Sequence, residues 1–590
     1  MSSSPFSPVP LPREQLAAAE AWLAEDPDPQ TAAELRGLLD RAAEDSQSGA
    51  AARAELADRF AGPLAFGTAG LRAPLGAGPA RMNRVVVRRT AAGLGRFLLD
   101  TAAGSYRPRV VVGFDARHNS EVFAAESAAV LTALGVQTFL LPAALPTPVL
   151  AYAVRSLDCD GGVMVTASHN PPQDNGYKVY LGGRAVPGDG RGAQIVPPYD
   201  AAIAERIDYA PALDTIRLAG SGWEVLPASG RPGSVEDAYV EAVAGLARPD
   251  VFPHRRLKIV LTPLHGVGGP AALAVLRRAG FTDVHLVRAQ AAPDPDFPTV
   301  AFPNPEEPGA LDLALAAAGE LDADIVLAND PDADRLAVAL KAPETGKWSV
   351  LRGDETGALL GAHMLARLRA AGTAEAEEPV FASSVVSSRL LGRMAGAAGI
   401  GHVQTLTGFK WIARVPGLEY GYEEALGYCV APHLVADKDG ISAALLVAEL
   451  AADALAAGRS LHADLDELAL AHGIHATDQL SIRVDSLDLL DAMMKRLRDS
   501  PPESFGGSPV ASAVDLSDGA AGLPPTDGLL YLTRDDSRVI VRPSGTEPKL
   551  KCYIEVVRPV PAADLLEQAR AEAAGTIELI REDISDALGL

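Results

Sequence analysis

Cysteine is scarce. Cys159, Cys429 and Cys552 are the only three in 590 residues and lie far apart, which excludes a metal knuckle or disulfide framework and fits a reducing, intracellular compartment. Cations are also short: 52 Lys and Arg stand against 76 Asp and Glu, a net charge of −24. Nucleic-acid backbones are held by basic patches, so this balance argues against a nucleic-acid partner, and any anionic ligand must be met by cations gathered locally. No uncharged apolar run reaches the length of a membrane span. The most apolar stretch, ISAALLVAELAADALAAG from Ile441, carries Glu449 and Asp453 and reads as a packed helix. The opening MSSSPFSPVPLP lacks the basic start and apolar core of a signal peptide and reads as a loose tail, so the expected location is cytoplasmic.

What is present is an apolar fraction of 48% in a chain of several domains, about three to five at roughly 100–200 residues each. An Ala-rich helical stretch covers about 13–61. Short β-branched runs then alternate with Ala/Leu-rich helical patterns: RVVVGF (109–114), GGVMVTAS (161–168), LKIVLTPL (257–264), ADIVLAND (323–330) and VFASSVVS (380–387). Strands alternating with helices predict α/β units with largely parallel sheets. Stretches near 182–200, 226–236, 369–379 and 500–527 read as loops or boundaries. Beyond about residue 476 the pattern changes to LSIRVD, a helix from about Ser486, YLTRDDSRVIVRP and KLKCYIEVV, a smaller α+β unit.

Three segments carry chemistry. In DPDADR, Asp330 to Arg335, a buried strand delivers Asp330, Asp332 and Asp334 at its carboxyl end, where α/β proteins place ligands. Three close carboxylates repel unless a cation neutralises them, and oxygen-only ligation suits Mg²⁺. An EF-hand needs Gly at its sixth position and Glu at its twelfth; Arg335 and Lys341 stand there instead. Arg335 would serve a bound phosphate. In TASHNPP, Thr166 to Pro172, a second strand presents Ser168 and His169 on a loop without the G-x-S-x-G frame of a hydrolase. A phosphorylated serine there would bring about −1.5 to −2 charge and three strong acceptors, enough to complete a cation's coordination. In RPSGTEPK, Arg542 offers a planar fork, Ser544 and Thr546 hydroxyl donors, and Gly545 close backbone approach. Lys549 and Lys551 make this segment the local cationic island that an acidic protein needs for an anionic ligand. FGTAGLR (66–72) adds Arg72, and GYEEALGY (421–428) adds adjacent carboxylates that suit vicinal sugar hydroxyls. Read singly, each segment is also compatible with a plain polar turn.

Together, in this order, they resemble the α-D-phosphohexomutase superfamily, which includes phosphoglucomutases, phosphomannomutases and phosphopentomutases. The resemblance runs from about residue 60 to the end. It implies three similar α/β domains with mixed sheets and a smaller C-terminal α+β domain around a central cleft, expected at 61–225, 226–350, 351–475 and 476–590, after a tail and helical extension at 1–60. It implies that Ser168 is the phosphoserine and that Asp330, Asp332 and Asp334 hold magnesium with it. Arg72 and Lys178 match positions near the transferring phosphate, with Lys178 and the neighbouring His169 as candidate acid/bases. Glu423 matches the sugar-binding acid and Lys410, in LTGFKW, a loop that approaches the substrate. Arg542, Ser544, Gly545 and Thr546 match the grip on the phosphate that is not transferred. One departure is Ala425, where many glucose- and mannose-type members have serine; the EEA-x-GY form resembles the branch with phosphopentomutases and some bacterial phosphoglucomutases.

The activity implied is interconversion of sugar 1- and 6-phosphates, glucose phosphates first, through phosphoserine, with a sugar 1,6-bisphosphate as intermediate and activator. Phosphopentomutase, phosphomannomutase and glucose 1,6-bisphosphate synthase are alternatives of the same fold. A phosphatase lacks a visible water-activating residue, and a sugar-phosphate-binding regulator has no need of intact Ser168 and aspartates.

Overall fold

The computed structural model describes residues 12–64, 70–207, 212–342, 345–372, 378–484, 487–520, 522–543 and 549–590. Four sheets organise them. The first runs Leu71–Pro74, Asp174–Leu181, Gly161–Val165, Arg109–Phe114, Gln137–Leu140, Glu224–Val225, with Ala193–Gln194 also on Asp174–Leu181. The second runs Trp348–Val350, Leu336–Lys341, Ile325–Asn329, Ile259–Thr262, Val284–Leu286, and the third Gly401–Thr405, Val380–Ser384, Leu418–Glu423, Gly427–Cys429. Each of these is mixed. Parallel strands fill one side, and each sheet has one parallel strand that turns back into an antiparallel neighbour: Gly161–Val165 into Asp174–Leu181, Ile325–Asn329 into Leu336–Lys341, Leu418–Glu423 into Gly427–Cys429. The fourth sheet, from Ile474–Arg483 through Lys549–Arg558 and Arg538–Pro543 to Ser504–Phe505, is antiparallel throughout.

This is the expected architecture of three similar α/β domains and a C-terminal α+β domain. The five β-branched runs all form strands because their residues are buried on both faces, as in Gly161–Val165 and Ile325–Asn329, where every position is buried. The Ala-rich start is three helices, Arg13–Glu25, Pro29–Ala42 and Gln47–Arg59. Its breaks fall where Asp28 and Ser46 cap the next helix through Gln30 and Gly49 amides. Three of the described strands lie inside stretches that read as loop: the two-residue Ala193–Gln194 and Ser504–Phe505, and the longer Ser508–Asp515. The last reads so because its small, mostly exposed side chains show no apolar alternation; pairing with Leu529–Thr533, across a bulge, makes it a strand.

The apolar run from Ile441 is the helix Gly440–Ala456, buried along most of its length and capped by Asp439. It packs against helices and strands of both the second and third sheets, and one continuous core reaches from Val111 through Leu327 to Tyr420. The fourth sheet has its own core against the helix Leu566–Leu588. It is fastened to the third by Glu555, buried, which accepts from Ser388 Oγ at 2.9 Å, Arg389 Nε at 2.6 Å and His475 Nδ1 at 3.0 Å and pairs with Arg538 at 3.2 Å. Burial opposes that carboxylate's charge, but Arg538, His475 and Arg389 outweigh it and hold its pKa low. Among the described residues no single helix is long and apolar enough to cross a membrane; one pair, Gly440–Ala456 with Leu461–His472, reaches that length only across a 92° bend.

Candidate active site

The Ser168, DPDADR and sugar-loop segments are each the connection between a parallel strand and its antiparallel return. That placement fixes both ends of the loop by ladder hydrogen bonds and leaves the middle free to adopt a special conformation. Ser168 (φ 52°), Ala333 (φ 58°) and Leu426 (φ 60°) each sit in the left-handed region without being glycine, a cost that persists only where surrounding contacts over-determine the backbone.

For the Ser168 loop those contacts come from Arg117. Its buried guanidinium donates to the carbonyls of Ser168 (2.6 Å), Asn170 (2.5 Å), Pro171 (2.8 Å) and Asp174 (3.2 Å). Asp115 faces it at 3.5 Å and accepts from Thr166 Oγ1 at 2.6 Å and Ser120 Oγ at 2.7 Å, while Phe297 of the second domain lies 5.0 Å over the guanidinium. Four carbonyls of one loop thus converge on one cation. Arg117→Ala is expected to lower kcat about 10²-fold, because misplacing a reacting group by ~1 Å costs about that much. The measurement is steady-state turnover beside the circular dichroism of the folded variant; an unchanged kcat would mean that the loop holds itself.

The loops then meet. Ser168 Oγ, buried, donates to Asp330 Oδ2 at 2.7 Å, and His169 Nδ1 lies 3.1 Å from the same Oγ. Asp330, Asp332 and Asp334 are fully buried, with one carboxylate oxygen of each within 4.8 Å of the others. Lys178 Nζ donates to Asp332 Oδ2 and Asp334 Oδ2, both at 2.7 Å; Lys438 Nζ is 3.1 Å from Asp334 Oδ2, and Thr147 Oγ1 donates to Asp332 Oδ2 at 2.7 Å. Burial and the two neighbouring carboxylates push the Asp330 pKa well up. Burial also opposes charge on Asp334, but Lys178, Lys438 and Arg335 overcome it and hold that group low. The two lysines therefore neutralise part of the triad.

The Oδ1 atoms of Asp332 and Asp334 are buried and have no hydrogen-bond partner. Unpaired buried carboxylate oxygens are costly, and hard oxygen donors converging in one place suit magnesium. The donor set fits the ion.

Of the remaining predicted residues, Arg72 and Arg335 stand beside this cluster, Glu423 holds the segment that carries Lys410, and Arg542 shares a cavity with Lys410. Arg72 Nη1 donates to Asn170 Oδ1 at 2.9 Å, next to the Ser168 loop. Arg335 pairs by its backbone with Gly427 of the sugar-loop hairpin, and its Nε lies 3.9 Å from Asp334 Oδ1. Glu423 Oε1 accepts the Gly408 amide at 2.5 Å, directly before the short helix Phe409–Ile412 that carries Lys410. Burial, with Glu424 next to it, raises the Glu423 pKa to about 7 against the pull of Lys438 and Arg335. Glu424 accepts from Ser384 Oγ at 3.1 Å and Ser387 Oγ at 3.0 Å. Ala425 lies half-buried beside it. Behind the hairpin, Tyr420, Tyr422 and Tyr428 stack in a row and anchor their hydroxyls on Gly357, Asp354 and Gly353. A side chain at 353 would collide with the Glu424 carbonyl, 1.7 Å from a Cβ there, so Gly353 is what lets the helix Gly353–Ala371 support this loop. Arg542 pairs across the ladder with Lys551 and lines a cavity of about 170 Å³ together with Lys410, Trp411 and Thr407. Ser544, Gly545 and Thr546, like residues 66–69, lie outside the described residues.

Asp115, Arg117, Thr147 and Lys438 escaped the reading of the sequence. Two of them carried a signal: DAR follows the strand Arg109–Phe114 as DPDADR follows Ile325–Asn329, and Lys438 stands in the DKDG that opens the central helix.

Comparison with known proteins agrees with this fold. Family models described as “Phosphoglucomutase/phosphomannomutase, alpha/beta/alpha domain I”, II and III match residues 63–210, 237–345 and 352–470, and the C-terminal domain of the same family matches 508–573. A Haemophilus influenzae protein named “Probable phosphomannomutase” is 42% identical over 80% of this chain and 93% of its own length. A Mus musculus phosphopentomutase is 33% identical over 94% of this chain and 93% of its own. The crystal structure of a Thermus thermophilus protein described as a “putative phosphomannomutase” superposes with a TM-score of 0.64 at 27% identity, covering 88% of this chain and 99% of that one. The chain belongs to the phosphoglucomutase/phosphomannomutase family of the α-D-phosphohexomutases and is an intramolecular phosphotransferase of that type.

Proposed function

We propose that the enzyme interconverts sugar 1-phosphates and sugar 6-phosphates, glucose phosphates first, by way of phosphorylated Ser168 and a sugar bisphosphate. The observation that carries this reading is the 2.7 Å contact between Ser168 Oγ and Asp330 inside the aspartate cluster. A phosphoryl group on that oxygen would enter the space that the unpaired Asp332 and Asp334 oxygens face.

In the first half-reaction the P–Oγ bond of phospho-Ser168 breaks and a P–O bond to the free sugar hydroxyl forms. The proton given up by the sugar hydroxyl is the one that Ser168 Oγ regains, so the half-reaction is proton-neutral. His169 Nδ1, 3.1 Å from Oγ, is placed to move the proton at that atom. Arg72, Arg335 and Lys178 supply positive charge where the phosphoryl oxygens spread theirs. Magnesium held by Ser168, Asp330, Asp332 and Asp334 would supply further neutralisation of that charge. The bisphosphate then turns over, the other phosphate meets dephospho-Ser168, and trace sugar 1,6-bisphosphate restores any enzyme that has lost its phosphate. Arg542 and Lys410, on one shared cavity, would bind the phosphate that is not transferred, and Glu423 a pair of sugar hydroxyls.

A pentose reading has its own support: Ala425 replaces a hydroxyl-bearing side chain, and the relatives matched over most of the chain include phosphopentomutases. Turnover of glucose 1-phosphate, mannose 1-phosphate and ribose 1-phosphate at equal concentration decides between them. The highest kcat/KM on glucose 1-phosphate supports the first reading, and on ribose 1-phosphate the second.

Glu423 gives a pH signature. With its pKa near 7 the carboxyl is protonated below that value and becomes a full acceptor for sugar hydroxyls above it. The log of kcat/KM is expected to rise through about pH 7, and Glu423→Gln should remove that component while leaving the contribution of substrate phosphate ionisation. Superimposable profiles from pH 5.5 to 8.5 would show that Glu423 does not bind the sugar as a carboxylate.

A further inference from the structure

The three N-terminal helices precede the first residue matched by the family's domain models, and nothing in the proposed chemistry uses them. They are nevertheless built into the stem of the strand that carries Arg72. Their small core of Ala19, Leu35, Leu38, Ala52 and Leu56 is completed by Ala77, which belongs to the loop following the strand Leu71–Pro74.

Arg59 closes the joint. Its side chain is 7% exposed, its Nη2 donates to Glu34 Oε1 at 2.6 Å and Glu55 Oε1 at 2.7 Å, and its Nη1 donates to the Ala77 carbonyl at 3.3 Å. Glu34 Oε2 accepts the Ala77 amide at 3.3 Å, so both backbone groups of Ala77 are satisfied by the helices. The Arg59 carbonyl accepts the Ala80 amide at 3.1 Å, and the Leu64 amide donates to the Pro79 carbonyl at 3.1 Å. Gly78 (φ 112°) fits only because it has no side chain: a Cβ there would stand 2.8 Å from the Arg59 carbonyl oxygen.

This joint leads straight to the reacting centre. Leu71–Pro74 is an edge strand of four residues, with Asp174–Leu181 as its one neighbour among the described residues and Arg72 opposite Gly176. Immediately after it, the Leu75 amide donates to the Gln173 carbonyl at 2.7 Å, at the end of the Ser168 loop. The strand is held by this one ladder, by Met82 and Asn83, which donate to the Pro74, Gly76 and Gly78 carbonyls, and by the segment at Ala77 that the helices anchor.

We infer that the N-terminal helical unit, through Arg59, is a positioning element of the reaction that sets the place of Arg72 beside the Ser168 loop. The inference rests on the reading of Arg72 as a residue that meets the transferring phosphate. Loss of Arg59 would let the strand shift by a fraction of its register, and a shift of about 1 Å at a reacting group is worth up to ~10²-fold in rate.

A double-mutant cycle with the full chain, at saturating magnesium and sugar bisphosphate, tests it. Arg59→Ala is expected to lower kcat 10- to 100-fold (order of magnitude, for a displaced reacting group) with KM changed less than about threefold. Added to Arg72→Ala it should lower kcat less than about twofold further, because the group it positions is gone. Arg53→Ala, which removes the bonds to the Ala42 and Glu44 carbonyls inside the same helical unit, should leave kcat unchanged. Glu34→Gln keeps the experiment decisive if Arg59→Ala does not fold, since Glu34 is 40% exposed and its replacement removes the charged carboxylate shared by Arg59 Nη2 and the Ala77 amide, leaving Arg59 its bonds to Glu55 and the Ala77 carbonyl; a loss of about 3- to 10-fold in kcat is expected. Wild-type kcat in Arg59→Ala, or in Glu34→Gln where that variant stands in, overturns the inference, as do equal losses in Arg53→Ala. Independent factors that multiply in the double variant overturn it while leaving Arg72 in its role. Wild-type turnover in Arg72→Ala would remove that role and the inference with it.

Discussion

Ser168→Ala should abolish interconversion of sugar monophosphates, with turnover at least about 10⁴-fold below wild type, while the protein folds as before. The size follows from the chemistry. Phosphate monoesters transfer their phosphoryl group extremely slowly without help, and positioning plus charge neutralisation supply nearly all the acceleration; without an acceptor at residue 168 that machinery has nothing to act on. The fold should survive because Ser168 contributes one hydroxyl to the site and no apolar area to the core, and its loop is held by Arg117 through carbonyls that alanine retains. Alanine at φ 52° is no more strained than serine there. Circular dichroism and intact mass should show a folded protein with no phosphorylated fraction. Residual turnover within tenfold of wild type would require a different phosphoryl carrier.

The second large effect is at Asp330. This carboxylate has the weakest support of the three: Ser168 Oγ and the Arg335 amide at 3.0 Å are its partners, whereas Asp332 and Asp334 are shared by Lys178. Asp330→Asn removes one charge from a repelling trio and offers the cation an amide in place of an anionic ligand. Activity is expected to fall about 10³-fold or more, and chelation of divalent ions should silence the wild type to a similar extent. The apo protein should be no less stable than wild type, since the carboxylate lost was repelled by both neighbours. Thermal unfolding with and without magnesium separates the two consequences: the ion should raise the transition of the wild type and raise that of Asp330→Asn less. Strong destabilisation of the apo variant, with its response to magnesium intact, would mean that Asp330 is structural.

How much of this could be read from the chain depends on how far apart the partners lie. DPDADR and TASHNPP were legible because each packs its chemistry into a few consecutive residues behind an apolar strand. The five β-branched strands of the first three sheets were legible for a related reason, since strands buried on both faces announce themselves as unbroken apolar runs; the division into four domains came with the family resemblance. Arg117 was not, because its four acceptors lie 51 to 57 positions further on. Thr147 and Lys178 meet Asp332 across more than 150 residues, and no local pattern encodes such a meeting. Lys438 was overshadowed by the apolar helix it precedes. The strand Ser508–Asp515 is defined by its neighbour rather than by its own side chains, and the Arg59 joint depends on Ala77, a residue whose burial in another unit's core leaves no mark in composition.

The central claim is that the Ser168 oxygen carries the phosphoryl group between the two positions of the sugar. Enzyme labelled with radioactive phosphate at Ser168, freed of unbound label and mixed with unlabelled sugar monophosphate in a single turnover, puts it to the most direct trial. The label should leave the protein within one catalytic cycle and appear first in sugar bisphosphate, then in both monophosphates. Label that stays on the protein while unlabelled substrate is converted, or that departs only as inorganic phosphate, would contradict it.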